Sequence, residues 1–282
     1  MALTGRHFEV TPPLSEIVKH FYAIQSSSDF VATIAHLSPN YEMMLVFNFG
    51  SPVRASFAAD PPGSILIGKI ALLGPLKKML NYEVLPATDM LITVFNLDGF
   101  YRLFQVAVDS LNSNQVHHPD ILMPTACSNE LWEVLSRISN QEERVQVLQE
   151  YVQTFNREAD SAAKLLREGS AYFNDSLLQP VKAIAADAGL SERTIQLRFK
   201  KYVGYSPKEL LRFLRFKQVI RSIEQYSGAQ INWFDLIYDF GYHDQSHLIK
   251  DFQHFLGTSP ETFVKQILGK EFCVTRPGQF DR

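Results

Sequence analysis

The fold of the C-terminal part of this chain is decided by AADAGLSERTIQLRFKKYVGYSPKE, residues 185–209. The same pattern returns as IYDFGYHDQSHLIKDFQHFLGTSPE at residues 237–261. The matching positions are glycines, one apolar core residue and a Ser-Pro pair: Gly189 with Gly241, Phe199 with Phe252, Gly204 with Gly257, and Ser206-Pro207 with Ser259-Pro260. This repeat predicts two units of one supersecondary structure in tandem.

Each copy predicts a helix, a tight turn and a second helix. The first helices, about Val181–Ala188 and about Trp233–Phe240, both precede a glycine, which readily takes the left-handed conformation that ends a helix. Ser191 is placed to cap the second helix of copy one, and Glu192 adds a favourable negative charge to its first turn. This order is that of a helix-turn-helix unit, whose second helix enters the major groove of DNA.

A helical wheel divides each second helix into a core face and an outward face. The core faces carry Ile195, Phe199 and Tyr202 in copy one, and Leu248, Phe252 and Phe255 in copy two. The outward positions are Arg193, Gln196, Leu197 and Lys200, then Ser246, Ile249, Lys250 and Gln253. Arginine and glutamine suit base edges and lysine suits phosphates, whereas Leu197 could contact either a thymine methyl or a neighbouring helix.

Basic residues are concentrated in this region. Residues 1–150 hold 9 Lys/Arg and 15 Asp/Glu, whereas residues 193–221 alone hold nine Lys/Arg and one acid. Such a segment supplies phosphate contacts, although a solvated helix face would have the same composition. The candidates for phosphate contacts are Lys200, Lys201, Lys208, Arg212, Arg215 and Gln253. The helix between the copies, about Pro207–Tyr226, would be roughly 30 Å long, close to the ~34 Å between successive major grooves.

The N-terminal part has a different pattern, and the whole chain is therefore predicted to be α+β. Runs such as Met43–Phe49, Ser64–Gly68 and Met90–Phe95 are rich in β-forming residues and are bounded by turn formers. They predict a compact sandwich or barrel, with two helical pieces at Leu14–Phe21 and Gly99–Val106. An aromatic set could line a small-molecule pocket, but core packing is the favoured interpretation: Phe47, Phe49, Phe95, Phe100, Tyr101 and Phe104.

Helical spacing begins near Asn129 and predicts two helices within residues 130–156, with a break at Asn140. Their apolar stripes could pack on the barrel or pair with another subunit. The predicted division is a β-rich sensing domain at 1–125, a helical linker at 126–160, a DNA-binding domain at 161–270 and a frayed tail at 271–282.

Several classes of site are not expected. Cys127 and Cys273 lack metal-ligand spacing, so we interpret them as reduced thiols of a cytosolic protein. His243, His247 and His254 have no acidic or cysteine partner at a suitable spacing, and no metal is expected. No apolar run reaches the ~18 residues of a membrane span, and the first residues lack the basic-then-apolar order of a signal peptide.

Residues from about Leu165 to Gln266 resemble the DNA-binding domain of the AraC/XylS family of bacterial transcription regulators. The resemblance rests on IAADAGLSERTIQLRFKKYVGYSPK, followed by FGYHDQSHLIKDF and GTSP. It implies a seven-helix domain that binds promoter DNA. The base-reading positions that it implies are Arg193, Gln196, Leu197, Ser246, Ile249 and Lys250. The family commonly has arginine at the position of Leu197, so this chain should prefer a different base in the first half-site.

The resemblance also implies a cupin-like N-terminal domain, and LVFNFG followed by GFYRLF resembles that of one subgroup. The implied partners are double-stranded DNA, RNA polymerase, a small-molecule effector and a second copy of the chain, the last through the helices at 126–160. No cofactor, no enzymatic activity and a cytoplasmic location are expected. The alternative function is a ligand-binding or enzymatic β-barrel with a helical protein-interaction module; the tandem repeat and its basic surface favour the regulator.

Overall fold

A computed structural model of the chain describes residues 3–58, 60–113, 115–122, 128–154, 163, 165–166, 173, 179–225, 231–268 and 272–273. Outside these residues lie Cys127, the predicted boundary up to residue 162, most of the helical stretch predicted at 162–173, Tyr226 and residues 274–282 of the predicted tail. Two β-sheets come first and helices follow, which confirms the predicted α+β class. None of the described helices combines the length and apolar character needed to cross a bilayer.

The strands form two five-stranded sheets, ordered β1-β2-β9-β4-β7 and β10-β3-β8-β5-β6. In chain order the strands are β1 (Leu3–Phe8), β2 (Val18–Ser26), β3 (Thr33–Leu37), β4 (Met44–Asn48), β5 (Val53–Phe57), β6 (Ile65–Ile67), β7 (Ile70–Leu73), β8 (Leu80–Val84), β9 (Asp89–Phe95) and β10 (Phe272–Cys273). Apolar side chains of both sheets, among them Val46 and Phe57, form one buried core between them. The predicted sandwich or barrel is therefore confirmed.

Two segments differ from their sequence-based predictions. The helix predicted at Leu14–Phe21 is wrong: a single 3-10 turn, Leu14–Glu16, leads into β2, which is hydrogen-bonded to both β1 and β9. The hydrogen bonds that β2 makes to a strand on each side outweigh the short helical pattern of its sequence. Phe272–Cys273, which belong to the tail predicted to be frayed, pair in parallel with His36 and Leu37 at the edge of the second sheet.

The helices, in chain order, are α1 (Gly99–Phe104), α2 (Pro119–Leu122), α3 (Ser128–Ser136), α4 (Gln141–Thr154), α5 (Pro180–Ala188), α6 (Glu192–Val203), α7 (Pro207–Gln225), α8 (Trp233–Asp239), α9 (Gln245–Leu256) and α10 (Pro260–Thr262), which continues as a π-helical turn at Phe263–Ile267. The break predicted at Asn140 separates α3 from α4. The glycines after the first helix of each repeat, Gly189 and Gly241, have the expected positive φ, 63° and 64°.

The outer face of the first sheet is covered by α1, α3 and α4. The apolar stripes of α3 and α4, including Leu131 and Leu148, are buried there together with Phe47 and Phe95 of the sheet. These stripes therefore pack on the barrel, and the pairing of subunits through the helices at 126–160 stays a prediction. Most of the aromatic set belongs to this core, as Phe95, Phe100 and Phe104 contact one another.

The N-terminal domain packs directly on both helix-turn-helix units. The Tyr205 hydroxyl donates to the Leu76 carbonyl at 2.9 Å, and the Met79 amide donates to the Phe255 carbonyl at 2.8 Å. Gly204 lies at the contact with a φ of 74°, and a Cβ there would stand 2.6 Å from Pro75 Cγ. The end of α6 therefore approaches the N-terminal domain more closely than any other residue type would allow.

Candidate DNA-binding surface

Helix α6 is held so that its outward face is free. Ser191 caps it by accepting a hydrogen bond from the Thr194 amide at 3.1 Å, while Ile195 and Phe199 are buried in the core of the helical domain. Arg193, Leu197 and Lys200 are exposed and Gln196 is half-buried. Leu197 remains 52% exposed, so none of the described helices covers it, and this favours the apolar base contact among its two interpretations.

Helix α9 has the same arrangement with a different cap. Asp244 accepts a hydrogen bond from the His247 amide at 2.7 Å, and this bond, with the nearby His243, lowers the pKa of Asp244. Leu248, Phe252 and Phe255 are buried as expected. The four outward positions are all exposed: Ser246, Ile249, Lys250 and Gln253.

Helix α7 joins the two units and forms the spine of the domain. Its inner face is buried through its whole length, with residues such as Leu210, Phe216 and Ile223 in a core shared with both recognition helices. Its 19 residues correspond to roughly 28 Å at 1.5 Å per residue. The two recognition helices are therefore attached to one rigid element whose length is close to the spacing of successive major grooves.

The candidates for phosphate contacts fall into two groups. Lys200, Lys208 and Gln253 are exposed. Lys201 is instead directed at the N-terminal domain, where its ammonium lies 4.5 Å from the ring centroid of Tyr101. The same ammonium lies 4.9 Å from the ring centroid of Tyr202, its neighbour in α6. Hydrogen bonding to Tyr101 raises the pKa of Lys201. In this arrangement the Lys201 ammonium interacts with aromatic rings of the protein itself.

Arg212 and Arg215 of α7 are engaged by a buried carboxylate that the sequence analysis did not single out. Arg212 Nε donates to Asp251 Oδ1 at 2.7 Å, and the Tyr242 hydroxyl donates to Asp251 Oδ2 at 2.8 Å. Arg215 Nη2 lies 3.9 Å from the same oxygen, and its guanidinium lies 4.4 Å from the Tyr242 ring centroid. Burial, then the charge of Asp251, raises the pKa of Tyr242.

This network fixes the second recognition helix to the connecting helix. Asp251 has no exposed surface, and it lies on the same face of α9 as Leu248 and Phe255. The sequence does hold a signal for this network, because Asp251 falls on the core face of the helical wheel. A buried charge there requires partners. The contacts with Asp251 give Arg212 and Arg215 a positioning role that was not foreseen.

Two family models match the chain. One, described as a helix-turn-helix domain, matches residues 184–266. The other, described as a domain of unknown function (DUF6597), matches residues 6–117. No curated protein sequence matches the chain significantly.

Several solved structures match most of the chain at low sequence identity. ToxT from Vibrio cholerae matches with a TM-score of 0.40 and 11% identity, covering 94% of this chain and 98% of ToxT. ToxT bound to an unsaturated fatty acid matches with a TM-score of 0.37 and 10% identity, covering 83% and 94%. The AraC-like transcriptional activator CuxR matches with a TM-score of 0.30 and 13% identity, covering 77% and 79%.

Proposed function

We propose that this chain, whose residues 184–266 match a helix-turn-helix domain, is a DNA-binding transcription regulator of the AraC type that reads two successive major grooves, one with α6 and one with α9. The observation that carries the proposal is the pair of exposed polar faces attached to a single 19-residue helix. Because α7 is buried along one side, it holds the two faces at a fixed separation, as a one-turn spacing of half-sites requires.

The residues of the two faces have different roles in this proposal. The base-reading positions are Arg193, Gln196, Leu197, Ser246, Ile249 and Lys250. Lys200, Lys208 and Gln253 contact phosphates and add affinity without selecting sequence. Lys201 becomes available for phosphate when it leaves Tyr101. Arg212 and Arg215 remain proposed phosphate contacts of lesser weight. Each side chain retains exposed surface beside its contact with Asp251.

Replacing Gln196 by alanine is expected to weaken binding to the preferred DNA by roughly 1–3 kcal/mol, because a bidentate amide contact with a base is lost. Binding to random DNA should change little. Lys200→Ala is expected to weaken binding to both DNAs and to lower the slope of log affinity against log salt by about 1. Gel-shift titrations at several salt concentrations, with a duplex that the protein itself selects from random DNA, measure both effects.

Arg137→Ala is the matched control and should leave both affinities unchanged, since Arg137 is an exposed cation between α3 and α4. An equal loss on preferred and random DNA would show that Gln196 does not read a base. Failure of the unaltered protein to bind any duplex at low salt would contradict the proposed function itself.

The remaining assignments extend this proposal to the whole chain. We assign residues 1–125 to a sensing domain that responds to a small molecule, 126–160 to a helical linker, 161–270 to DNA binding and 271–282 to a tail. RNA polymerase is the proposed protein partner, and the protein acts in the cytoplasm by binding rather than by catalysis. A homodimer would use a surface other than the buried stripes of α3 and α4.

A further inference from the structure

An apolar cavity of about 20 Å³ lies between the outer face of the first sheet and the helices that cover it. Phe47, Thr93 and Phe95 of the sheet form its floor, and Leu103 of α1, Leu131 of α3 and Leu148 of α4 are among its walls. Among the residues that the structure describes, none of those lining the cavity is charged. The space lies outside the core that fills the interior between the two sheets.

The Thr93 hydroxyl is an unusual part of this lining. Thr93 is 1% exposed, and its Oγ1 atom has no hydrogen-bond partner within the described part of the chain. A buried hydroxyl without a partner is unfavourable, because the bonds it would make to water are lost and nothing replaces them. A molecule in the cavity that carries one hydrogen-bonding group would restore the missing bond.

We propose that this cavity is the effector site of the regulator and that it takes a small neutral molecule with an apolar body and one polar group bonded to Thr93. The apolar lining excludes an ionised ligand, since an unpaired charge there would be desolvated without compensation. The cavity has room for about one water molecule, so the ligand must displace a wall. Binding of a ligand in this cavity does not depend on the proposed function. Only the regulatory role of that binding rests on it.

The walls of the cavity connect it to the DNA-binding domain. Helix α4 is fixed near its start, where Arg144 Nη1 donates to both oxygens of Asp89 at 2.9 and 2.8 Å, and the cavity lies under its second half, at Leu148 and Val152. Helix α1 supplies Leu103 to the cavity and, from the same short helix, Tyr101 to the contact with Lys201. A ligand that moves α1 therefore weakens the contact between Tyr101 and Lys201.

The test uses the full chain without DNA and two probes of equal length, 1-hexanol and hexanoate at pH 8. Methyl NMR titrations should show saturable binding of 1-hexanol, with the largest shift changes at Leu131, Leu148 and Val152. Hexanoate should bind at least about tenfold more weakly, because its charge must be desolvated. Absence of saturable binding, or shift changes centred elsewhere, would overturn the assignment.

Thr93→Val tests the polar contact, because valine keeps the shape of threonine and removes its hydroxyl. The affinity for 1-hexanol should fall about 3- to 10-fold through loss of one hydrogen bond, while the melting temperature of the free protein stays equal or rises. Thr33→Val is the matched control, since Thr33 Oγ1 is also unpartnered within the described residues but lies in the other sheet. Equal affinities for Thr93→Val and the unaltered protein would contradict the proposal.

A gel shift with and without 1-hexanol separates this inference from the proposed function. If the protein binds DNA but 1-hexanol does not occupy the cavity, the effector site is refuted and the regulator stands. If 1-hexanol occupies the cavity but no duplex is bound, the cavity stands as a ligand site and its regulatory role is refuted.

Discussion

Asp251→Ala is expected to lower the free energy of unfolding by about 3 kcal/mol. The substitution removes the acceptor of the Arg212 bond at 2.7 Å and of the Tyr242 bond at 2.8 Å. The Tyr242 hydroxyl is then left buried without that partner. Arg212 is 38% exposed and can turn to solvent, which keeps the loss at the lower end for a buried ion pair. Urea titration followed by circular dichroism measures it.

The same substitution should also weaken binding to preferred DNA, since α9 loses its polar attachment to α7 and keeps only the apolar packing. Asp251→Asn retains an acceptor for one of the two bonds and should recover part of the stability. Asp239→Ala, an exposed carboxylate of the same unit, is the control and should change the unfolding free energy by less than about 0.5 kcal/mol. A loss below about 1 kcal/mol for Asp251→Ala would show that the network does not position α9.

Arg144→Ala is expected to destabilise the N-terminal domain by about 3 kcal/mol. The Arg144 side chain is 3% exposed; besides its two bonds to Asp89, its Nε donates to the Leu135 carbonyl at 3.1 Å. Its guanidinium also lies 3.9 Å from the ring centroid of Phe49. The change therefore removes polar links from α4 both to the sheet and to α3, while the bond from Gln141 to Asp89 at 2.7 Å remains. Urea titration of the full chain measures the loss.

Arg144→Lys separates charge from geometry. Lysine keeps the positive charge but lacks the planar fork that bonds Asp89 and Leu135 together, so it should recover less than half of the loss. The exposed Arg137 again supplies the control, as Arg137→Ala should have little effect on unfolding. Full stability of Arg144→Lys would mean that charge alone fixes the helix, which the geometry does not predict.

The features predictable from the sequence are those set by residues close together in the chain. The repeat gave both helix-turn-helix units, since the spacing of apolar residues and the glycines after α5 and α8 are local patterns. The outward faces followed from the same periodicity, and Arg193, Leu197 and Ile249 are exposed as expected. These patterns depend on helix geometry and need no knowledge of what each helix packs against.

The features that the sequence did not reveal depend on residues far apart in the chain. Lys201 meets Tyr101 across 100 positions, and Asp251 meets Arg212 from another helix, so neither contact leaves a periodic pattern. The helix predicted at Leu14–Phe21 covers the first residues of β2, and it is wrong because the strand pairings that define β2, with β1 and β9, include one remote partner. The stripes of α3 and α4 were correctly seen as apolar, but an apolar stripe does not reveal which surface covers it.

The central claim is that α6 and α9 read two grooves one helical turn apart. Hydroxyl-radical footprinting of the full chain on a selected duplex tests it most directly. We expect two protected tracts on one face of the DNA, about 10–11 base pairs apart, with Gln196→Ala weakening protection in one tract and Lys250→Ala in the other. A single protected tract, or two tracts that both substitutions weaken equally, would contradict the account.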